Sequence, residues 1–243
     1  MILSQLVPAG DPIDLDKQSG RESSRASLLE LYRPPRRQWT RLNLITTISG
    51  SAAGSDGTSE TLTNPADRRL LGVIRELADV VLIGAQSVRA EGFLLPRRTR
   101  LAVVTGSGDL SGHRISSPVE PGRLLVLAPE SALDRARESL GVDADFVAVR
   151  DDAGRLDAAD VLAALHARDL LSIVCEGGPS LAAQLLEAGL LHEVCLSTSP
   201  RLGGPVLAPF GGATIAPVEA ELSGLLADDA SGLYARWLLP AGR

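Results

Sequence analysis

The sequence predicts an α/β fold of three layers, in which a mainly parallel central sheet carries helices on both faces and ends in antiparallel C-terminal strands. Short apolar runs alternate with helical patterns along most of the chain, and this alternation is typical of a parallel sheet with crossover helices. Of the 243 residues 44% are hydrophobic but only 3% aromatic. Such a composition favours a layered α/β interior over a β-sandwich, because sandwiches depend more on aromatic residues.

The first residues differ in character from the rest. Residues 1–38 are rich in Pro, Ser and charge and end in "YRPPRRQ". We interpret them as an N-terminal extension with one short helix, Arg25–Tyr32, before a domain formed by residues 39–243. The arginines near the end of the extension are interpreted as part of a solvated linker rather than as a binding patch.

The regular pattern begins after Trp39. "RLNLITTIS" predicts the first strand, and "NPADRRLLGVIRELA" predicts a helix with Asn64 as N-cap and Pro65 at its first position. Further buried strands are predicted at "DVVLIG", "RLAVVTG", "RLLVLAP", "DFVAVR" and "LLSIVCEGG", with helices at "AQSVRAEG", 131–140, 157–167 and "SLAAQLLEAG". "HEVCLSTSP", "VEAELSGLLAD" and "GLYARWLLP" predict the closing antiparallel strands.

Charge and cysteine content exclude several classes of protein. The net charge of -6 argues against general nucleic-acid binding. Cys175 and Cys195 lie in apolar runs away from any His/Cys cluster, so neither a metal site nor a disulfide framework is predicted. The N-terminus lacks the pattern of a signal peptide, and no apolar run approaches the ~18 residues of a membrane span. We therefore expect a soluble, cytoplasmic protein that binds neither nucleic acid nor membrane.

A strand that ends in a Gly-Gly turn gives the clearest functional signal. In "CEGGPSLAAQLLEAGL" the strand stops at Glu176 and a helix starts at Pro179. Gly177 and Gly178 lack Cβ atoms, so a ligand can approach their backbone closely. The N–H groups and the dipole at the start of the helix suit a pyrophosphate. The alternative is a tight turn without a ligand, since neither G-x-G-x-x-G nor a P-loop is present.

A second turn repeats this logic, and a long loop lies between the first strand and its helix. "DVVLIGAQSVRAEG" ends a strand at Gly84 and places Ser87 and Glu91 at a helical turn, where the alternatives are an N-cap and a surface acid. The loop "SGSAAGSDGTSETLTNP" offers hydroxyls to a polar ligand, unless it is only a mobile surface loop. Downstream, "LPRRTR" adds guanidinium groups that suit a phosphate.

Three segments together resemble a known family. They are "RLNLITTISG", "TNPADRRLLGVIRELADVVLIGAQSVRAEG" and "SIVCEGGPSLAAQLLEAGLLHEVCLSTSPRLGG", and they resemble the reductase domain of riboflavin biosynthesis, the RibD C-terminal domain, from about Arg41 onward. The resemblance implies a dihydrofolate-reductase-like fold and the NADPH-dependent reduction of 5-amino-6-(5-phosphoribosylamino)uracil to its ribitylamino form, usually by a homodimer. The zinc-deaminase signature of bifunctional members is missing from this sequence, so we expect no deaminase activity and no metal.

The resemblance also implies roles for individual residues. Ser87 stands where the family has a Thr, Glu91 where it usually has an Asp, and Thr61 where many members have a Trp beside the cofactor. The implied cofactor-binding residues are Thr61, Gly84, Ser87, Glu91, Gly177, Gly178, Pro179, Ser180 and Leu181. The implied substrate-binding residues are Ser59, Arg75, Arg98 and Glu176.

Two departures from the family pattern bear on activity. The first family motif reads Ser-Leu-Asp-Gly, whereas this chain has Thr47-Ile48-Ser49-Gly50, and Gln86 stands where a Gly is expected. With the acid replaced by Ser49, Glu176 is the remaining candidate for a catalytic residue. Three functions stay open: the pyrimidine reductase, a reductase of the same fold with another substrate such as dihydrofolate, and a non-catalytic nucleotide-binding paralogue. The sequence does not decide between NADPH and NADH.

Overall fold

The computed structural model describes residues 1–16, 21–90 and 95–240. The helices are α1 (Arg21–Tyr32), α2 (Pro65–Glu76), α3 (Ala85–Ala90), α4 (Leu133–Leu140), α5 (Ala158–His166) and α6 (Pro179–Glu187). The strands are β1 (Ile2–Val7), β2 (Ile13–Asp14), β3 (Trp39–Thr47), β4 (Val80–Gly84), β5 (Arg100–Val104), β6 (Leu124–Ala128), β7 (Asp145–Ala148), β8 (Asp151–Asp152), β9 (Arg155–Leu156), β10 (Ser172–Cys175), β11 (Glu193–Ser199), β12 (Glu221–Asp228) and β13 (Leu233–Leu238).

One large sheet organises the described part of the chain. Its strand order is β2-β1-β12-β13-β11-β3-β10-β4-β5-β6-β7, while β8 and β9 form a separate two-stranded ribbon. The strands from β11 to β7 are all parallel to one another. Antiparallel pairs join β13 to β11 and to β12, and β1 to β12. The predicted mainly parallel sheet with antiparallel C-terminal strands is therefore confirmed, except that β11, which was predicted with the antiparallel strands, runs parallel to β3 and antiparallel only to β13.

Two apolar layers cover the two faces of this sheet. Successive residues of β4 alternate between them, because side chains of a strand point to opposite faces: Val81 and Ile83 pack on one side, Val80 and Leu82 on the other. Helices α1, α2, α3 and α4 contribute to the first layer and α5 and α6 to the second. The predicted arrangement of helices on both faces is confirmed.

The end signals read from the sequence act as expected in α2 and α6. Asn64 is the N-cap of α2 and accepts a hydrogen bond from the Asp67 N–H, with Pro65 at the first position. Pro179 starts α6, which ends at Glu187. Gly189, just past the end of α6, takes a φ of 64°. A left-handed glycine after the last turn is a common helix terminator.

The N-terminal residues join the same sheet. β1 pairs with β12 and β2 pairs with β1, so residues on both sides of position 38 share one sheet. The sequence analysis assigned no strand there, because the partner strand β12 lies more than 200 residues away along the chain and nothing local marks the pairing. Helix α1 is longer than predicted, since it starts at Arg21. The division of the chain at residue 38 stays a prediction.

A buried ionic cluster fastens the end of α1 to the sheet. The carboxylate of Glu193 on β11 accepts hydrogen bonds from Arg41 at 2.7 Å, Arg236 at 2.6 Å and the Trp39 indole at 2.9 Å. The Glu193 side chain is 0% exposed.

The two arginines of this cluster also donate to the last carbonyls of α1, those of Tyr32 and Leu31. Helix α1 has no basic residue in its last turn, so these guanidiniums supply the positive charge that stabilises a helix C-terminus. We call Arg41, Glu193 and Arg236 the buried triad.

Candidate active site

The two glycine turns predicted from the sequence meet at the carboxyl ends of neighbouring strands. β10 and β4 are parallel, with Cys175 opposite Leu82. The Glu176 N–H donates to the Leu82 carbonyl at 3.0 Å, and the Gly84 N–H donates to the Gly177 carbonyl at 3.2 Å. The chain leaves β4 into α3 on one face and leaves β10 into α6 on the other. Such a switch point between neighbouring parallel strands opens a crevice, and this is where open α/β sheets bind ligands.

Backbone conformation at this crevice requires glycine. Gly177 and Gly178 have φ values of 125° and 84°, in a region that residues with a Cβ rarely adopt. A Cβ on Gly178 would lie 3.5 Å from the Gly84 Cα, and a Cβ on Gly84 would lie 3.6 Å from the Gly178 Cα. The two turns therefore approach through bare backbone, and a side chain at position 178 would be strained and would fill the space between them.

The start of α6 offers N–H groups to the crevice. Gly178 is the N-cap and provides no side-chain cap, and no acid lies in the first turn. Helix geometry leaves the N–H groups of Ser180 and Leu181 without acceptors inside the helix. The Leu181 side chain is buried in the core, so only its backbone N–H is available to a ligand. The positive end of the helix dipole adds to this arrangement, which fits a pyrophosphate.

Ser87 borders the same turn. It lies in the first turn of α3, and its Oγ is 4.0 Å from the position that a Cβ on Gly177 would occupy. Because α3 starts at Ala85, Ser87 lies inside the helix and is not its N-cap. Gln86, which stands where the family has a Gly, is exposed. Glu91 lies outside the described residues, so its predicted cofactor contact stays a prediction.

An ion pair occupies the α2 side of the crevice. The Arg75 guanidinium donates two hydrogen bonds to Glu176, from Nε to Oε1 and from Nη2 to Oε2, each at 2.6 Å. The Glu176 side chain is 6% exposed and that of Arg75 23%. A two-pronged pair of this kind fixes the plane of the carboxylate. The structure thus brings together two of the four residues that the family resemblance implied for the substrate.

Arg98 and Ser59 lie further from the Gly-Gly turn. Arg98 is exposed and immediately precedes Thr99, whose hydroxyl donates to the Arg75 carbonyl at 2.5 Å. This places Arg98 beside the end of α2, near the amino ends of the strands, because β5 starts at Arg100. Ser59 is half-buried in the loop before α2. The roles of both residues stay predictions.

Thr61 belongs to a compact loop closed by Asp56. The Thr61 hydroxyl donates to Asp56 Oδ1 at 3.0 Å, and the Thr58 N–H and hydroxyl donate to the same carboxylate. These hydrogen bonds, led by that of the Thr58 N–H, lower the pKa of Asp56. A Cβ on Gly54 would collide with the Thr61 Oγ. The Thr61 side chain therefore holds its own loop together, and its predicted contact with a cofactor stays untested.

Two serine hydroxyls just after β3 connect the end of that strand to a distant segment. Ser49 Oγ accepts from the Gly203 N–H at 3.2 Å and lies 3.0 Å from Thr47 Oγ1. Ser51 is buried and donates to the Pro205 carbonyl at 2.5 Å. A Ser-rich loop was recognised in the sequence, but its partners lie about 150 positions away, so no local signal could identify them.

Other chemistries receive no support from the described residues. Burial raises the pKa of the Cys175 thiol to about 12, which keeps it protonated beside the crevice. Within residues 1–16, 21–90 and 95–240, no three His, Cys, Asp or Glu side chains gather as a metal site would need. In the same ranges, no helix is long and apolar enough to cross a membrane.

The fold and the crevice define an α/β protein with a glycine-lined crevice at the ends of two neighbouring parallel strands. The sequence model of the RibD C-terminal domain matches residues 38–230 of this chain. That match covers most of the chain, so the protein belongs to the RibD C-terminal domain family.

Individual relatives agree with this assignment. The riboflavin biosynthesis protein RibD of Mycobacterium tuberculosis is 30% identical over 168 residues, which cover 67% of this chain and 42% of that protein. The chloroplastic riboflavin biosynthesis protein PYRR of Arabidopsis thaliana is 26% identical over 175 residues, covering 69% of this chain and 28% of that protein. The chain thus spans less than half the length of these two curated relatives.

Solved structures show the same fold. A pyrimidine reductase-like protein from Corynebacterium diphtheriae superposes with a TM-score of 0.68 at 23% identity, covering 84% of this chain and 92% of that one. The deaminase/5-amino-6-(5-phosphoribosylamino)uracil reductase of Thermotoga maritima gives a TM-score of 0.66 at 20% identity, covering 90% and 62%. With the sheet topology above, these likenesses confirm the predicted fold class.

Proposed function

We propose that this protein is an NADPH-dependent reductase of 5-amino-6-(5-phosphoribosylamino)uracil in riboflavin biosynthesis. The observation that carries the proposal is the crevice in which Gly84 faces Gly177 and Gly178 beside the paired carboxylate of Glu176. Family membership supports the reaction type, and the T. maritima structure is named for this reductase activity.

The crevice residues would contact two parts of the NADPH molecule, its pyrophosphate and the rest of the dinucleotide backbone. The N–H groups of Ser180 and Leu181, with Pro179 beside them, would hold the pyrophosphate at the start of α6. Gly84, Gly177 and Gly178 leave room for the dinucleotide backbone, and the Ser87 hydroxyl would donate to it. NADPH supplies the hydride when bound. Thr61 and Glu91 remain proposed contacts on the family resemblance.

Glu176 would orient the substrate. Arg75 occupies one lone-pair direction on each carboxylate oxygen, so each oxygen keeps a second direction for a donor on the substrate. In the reaction the ribose C1′ gains the hydride, the C1′–O4′ bond breaks, and O4′ takes up a proton. Glu176 would hold the hydroxyl or water that delivers this proton. Ser59 and Arg98 are proposed substrate contacts on the family resemblance alone, with Arg98 toward the phosphate.

We further propose that the protein works in the cytoplasm as a homodimer, as the family resemblance implies. Sedimentation equilibrium would test the dimer, since the chain has a mass of 25.4 kDa and a monomer would give that value.

The hydroxyl of Ser49, in place of the family's acid, keeps a non-catalytic nucleotide-binding paralogue as the second candidate. Turnover of the pyrimidine substrate distinguishes the two.

The first experiment is a fluorescence titration with NADPH and NADH, using Trp39 and Trp237 as reporters. We compare Gly178→Val with the matched variant Gly72→Val, because Gly72 is exposed and a Cβ there meets nothing within 4 Å. Gly178→Val should weaken NADPH binding by about 100-fold or more, a loss of about 2.7 kcal/mol. Gly72→Val should bind like the wild type. Unchanged affinity in Gly178→Val would refute the assignment of this turn to the cofactor.

Arg98 is tested against its neighbour Arg97, which is also exposed. Arg98→Ala should raise the KM of the phosphorylated substrate by about tenfold, as the loss of a charge-assisted hydrogen bond would, while the KM of NADPH stays unchanged. Arg97→Ala should leave both values near those of the wild type. Equal increases for the two ligands in Arg98→Ala would assign Arg98 to the cofactor.

A further inference from the structure

The hydroxyl of Ser51 joins two segments that are far apart in sequence. It donates to the Pro205 carbonyl at 2.5 Å and accepts from the N–H groups of Leu207 and Ala53, each at 3.2 Å. The Ala52 N–H donates to the Leu207 carbonyl at 2.8 Å. Ser51 is 7% exposed, so its loss would leave backbone groups without a partner in a place that water reaches poorly.

The segment held by Ser51 contacts both the loop after β3 and the start of α6. We call residues 201–211 the strap. At its start, the Arg201 carbonyl accepts from the Ile48 N–H at 2.9 Å, and at its end a Cβ on Gly211 would lie 3.5 Å from the Pro179 Cβ. Phe210 packs against the apolar layer that contains α6. The strap therefore connects the loop after β3 with the turn that starts α6.

The strap has few other means of keeping its place. It contains no helix or strand, and Leu202 and Val206 are 75% and 96% exposed. Apart from Ser51, the hydroxyl that holds it is the exposed Ser49, through the Gly203 N–H at 3.2 Å. A segment with exposed apolar side chains gains little from burial, so specific hydrogen bonds must fix it.

We propose that Ser51 is a positioning residue, which holds the strap so that the loop after β3 and the Gly178–Pro179 turn keep the separation needed for hydride transfer. This inference rests on the proposed function and adds a residue to it. Ser51 touches neither ligand in this proposal and acts through Pro205 and Leu207. Hydride transfer depends strongly on the distance between donor and acceptor. A small displacement of the loop after β3 relative to the Gly178–Pro179 turn therefore lowers kcat more than it lowers the affinity for NADPH.

The test compares Ser51→Ala with Ser55→Ala, the same change at an exposed residue of the same loop. Hydrogen–deuterium exchange of residues 201–211 should become about tenfold faster in Ser51→Ala, as the loss of a net hydrogen bond would produce. The kcat should fall by about tenfold, while the dissociation constant of NADPH changes less than threefold. Ser51→Thr, which keeps the hydroxyl, should restore both exchange and kcat, and Ser55→Ala should match the wild type.

Leu207→Pro probes the same contact from the strap, because it removes the N–H that donates to Ser51, and it should reproduce the faster exchange and the lower kcat. Unchanged exchange in Ser51→Ala, or faster exchange with an unchanged kcat, would overturn the proposal. If the wild type neither binds NADPH nor reduces the substrate, the proposed function fails and the positioning role with it, whereas the exchange data still decide whether Ser51 holds the strap.

Discussion

Two arginine–glutamate clusters of similar geometry lie in different surroundings. In the buried triad, Glu193 is fully enclosed and accepts from Arg41, Arg236 and Trp39. In the crevice, Glu176 accepts from Arg75, which is 23% exposed. The triad uses its hydrogen bonds to join α1 to the sheet, whereas the crevice pair fixes a carboxylate next to a turn of bare backbone. The groups around an ion pair, rather than the pair itself, therefore indicate its role.

The same isosteric change at the two sites gives the largest expected difference. Glu193→Gln leaves two buried guanidiniums without their counter-charge and should lower the free energy of unfolding by about 3–5 kcal/mol. Glu176→Gln affects a pair whose carboxylate is buried but whose single guanidinium is 23% exposed, so it should cost less, about 1–2 kcal/mol. Urea denaturation of both variants at neutral pH measures this difference. Similar losses at the two sites would show that the crevice pair is a structural element as well.

Activity should show the opposite order. Glu176→Gln removes the charge that we propose orients the substrate, and it should lower kcat/KM by about 100-fold, in the range typical for a positioned acid–base group. Glu187→Gln, the same change at an exposed residue of α6, should leave kcat/KM unchanged. Glu193→Gln, assayed at a temperature where it stays folded, should also retain the wild-type value. A large loss of activity in folded Glu193→Gln would contradict the separation of the two roles.

Acid should act mainly through the buried carboxylates. Burial raises the pKa of Glu193, but Arg41 and Arg236 outweigh this effect and hold the pKa below its usual value. The pKa of Asp228 is also lowered, because the hydrogen bonds from Tyr234 and the backbone around Gly232 outweigh the effect of burial. A carboxyl with a depressed pKa contributes stability that is present above the unfolded-state pKa, about 4, and is lost as pH falls through the folded-state value.

The steep decrease of the urea midpoint should therefore begin only below about pH 5. Glu193→Gln should make this acid limb shallower, because position 193 no longer takes up a proton on unfolding. Glu176→Gln provides the comparison at the crevice. An acid limb as steep in Glu193→Gln as in the wild type would show that other carboxylates dominate the acid response.

The sequence predicted those parts of the molecule that depend on neighbouring residues. The cap at Asn64, the Gly177–Gly178 turn and the start of α6 at Pro179 were all placed correctly, because caps and glycine turns are determined within a few positions. Family resemblance added Arg75 and Glu176, which the structure joins across 101 positions. The buried triad and the contact of Ser51 with Pro205 were missed, since their partners lie 152 and 154 positions apart. The insertion of β10 between β3 and β4 was likewise not predictable from local patterns.

The smallest expected effect comes from His192, which lies at the edge of the buried triad. His192 stacks on Trp39 with ring centroids 4.8 Å apart, and its Nδ1 accepts from the Thr40 N–H at 2.9 Å. Burial and the nearby Arg36 guanidinium lower the pKa of His192. As pH falls below about 6.5, the unfolded chain binds a proton that the folded ring resists, so stability decreases.

The decrease should be less than about 1 kcal/mol, because His192 is half-exposed and solvent screens it. His192→Asn keeps an acceptor near Nδ1 but does not titrate, so it should flatten the urea midpoint between pH 7.5 and 5.5. His166→Asn is the reference, since burial also lowers the pKa of His166 and His166 lies outside the triad. The pH dependence of the urea midpoint between pH 7.5 and 5.5 could persist in His192→Asn but disappear in His166→Asn. That result would assign this pH dependence to His166 on α5, and the buried triad would then affect stability only below about pH 5.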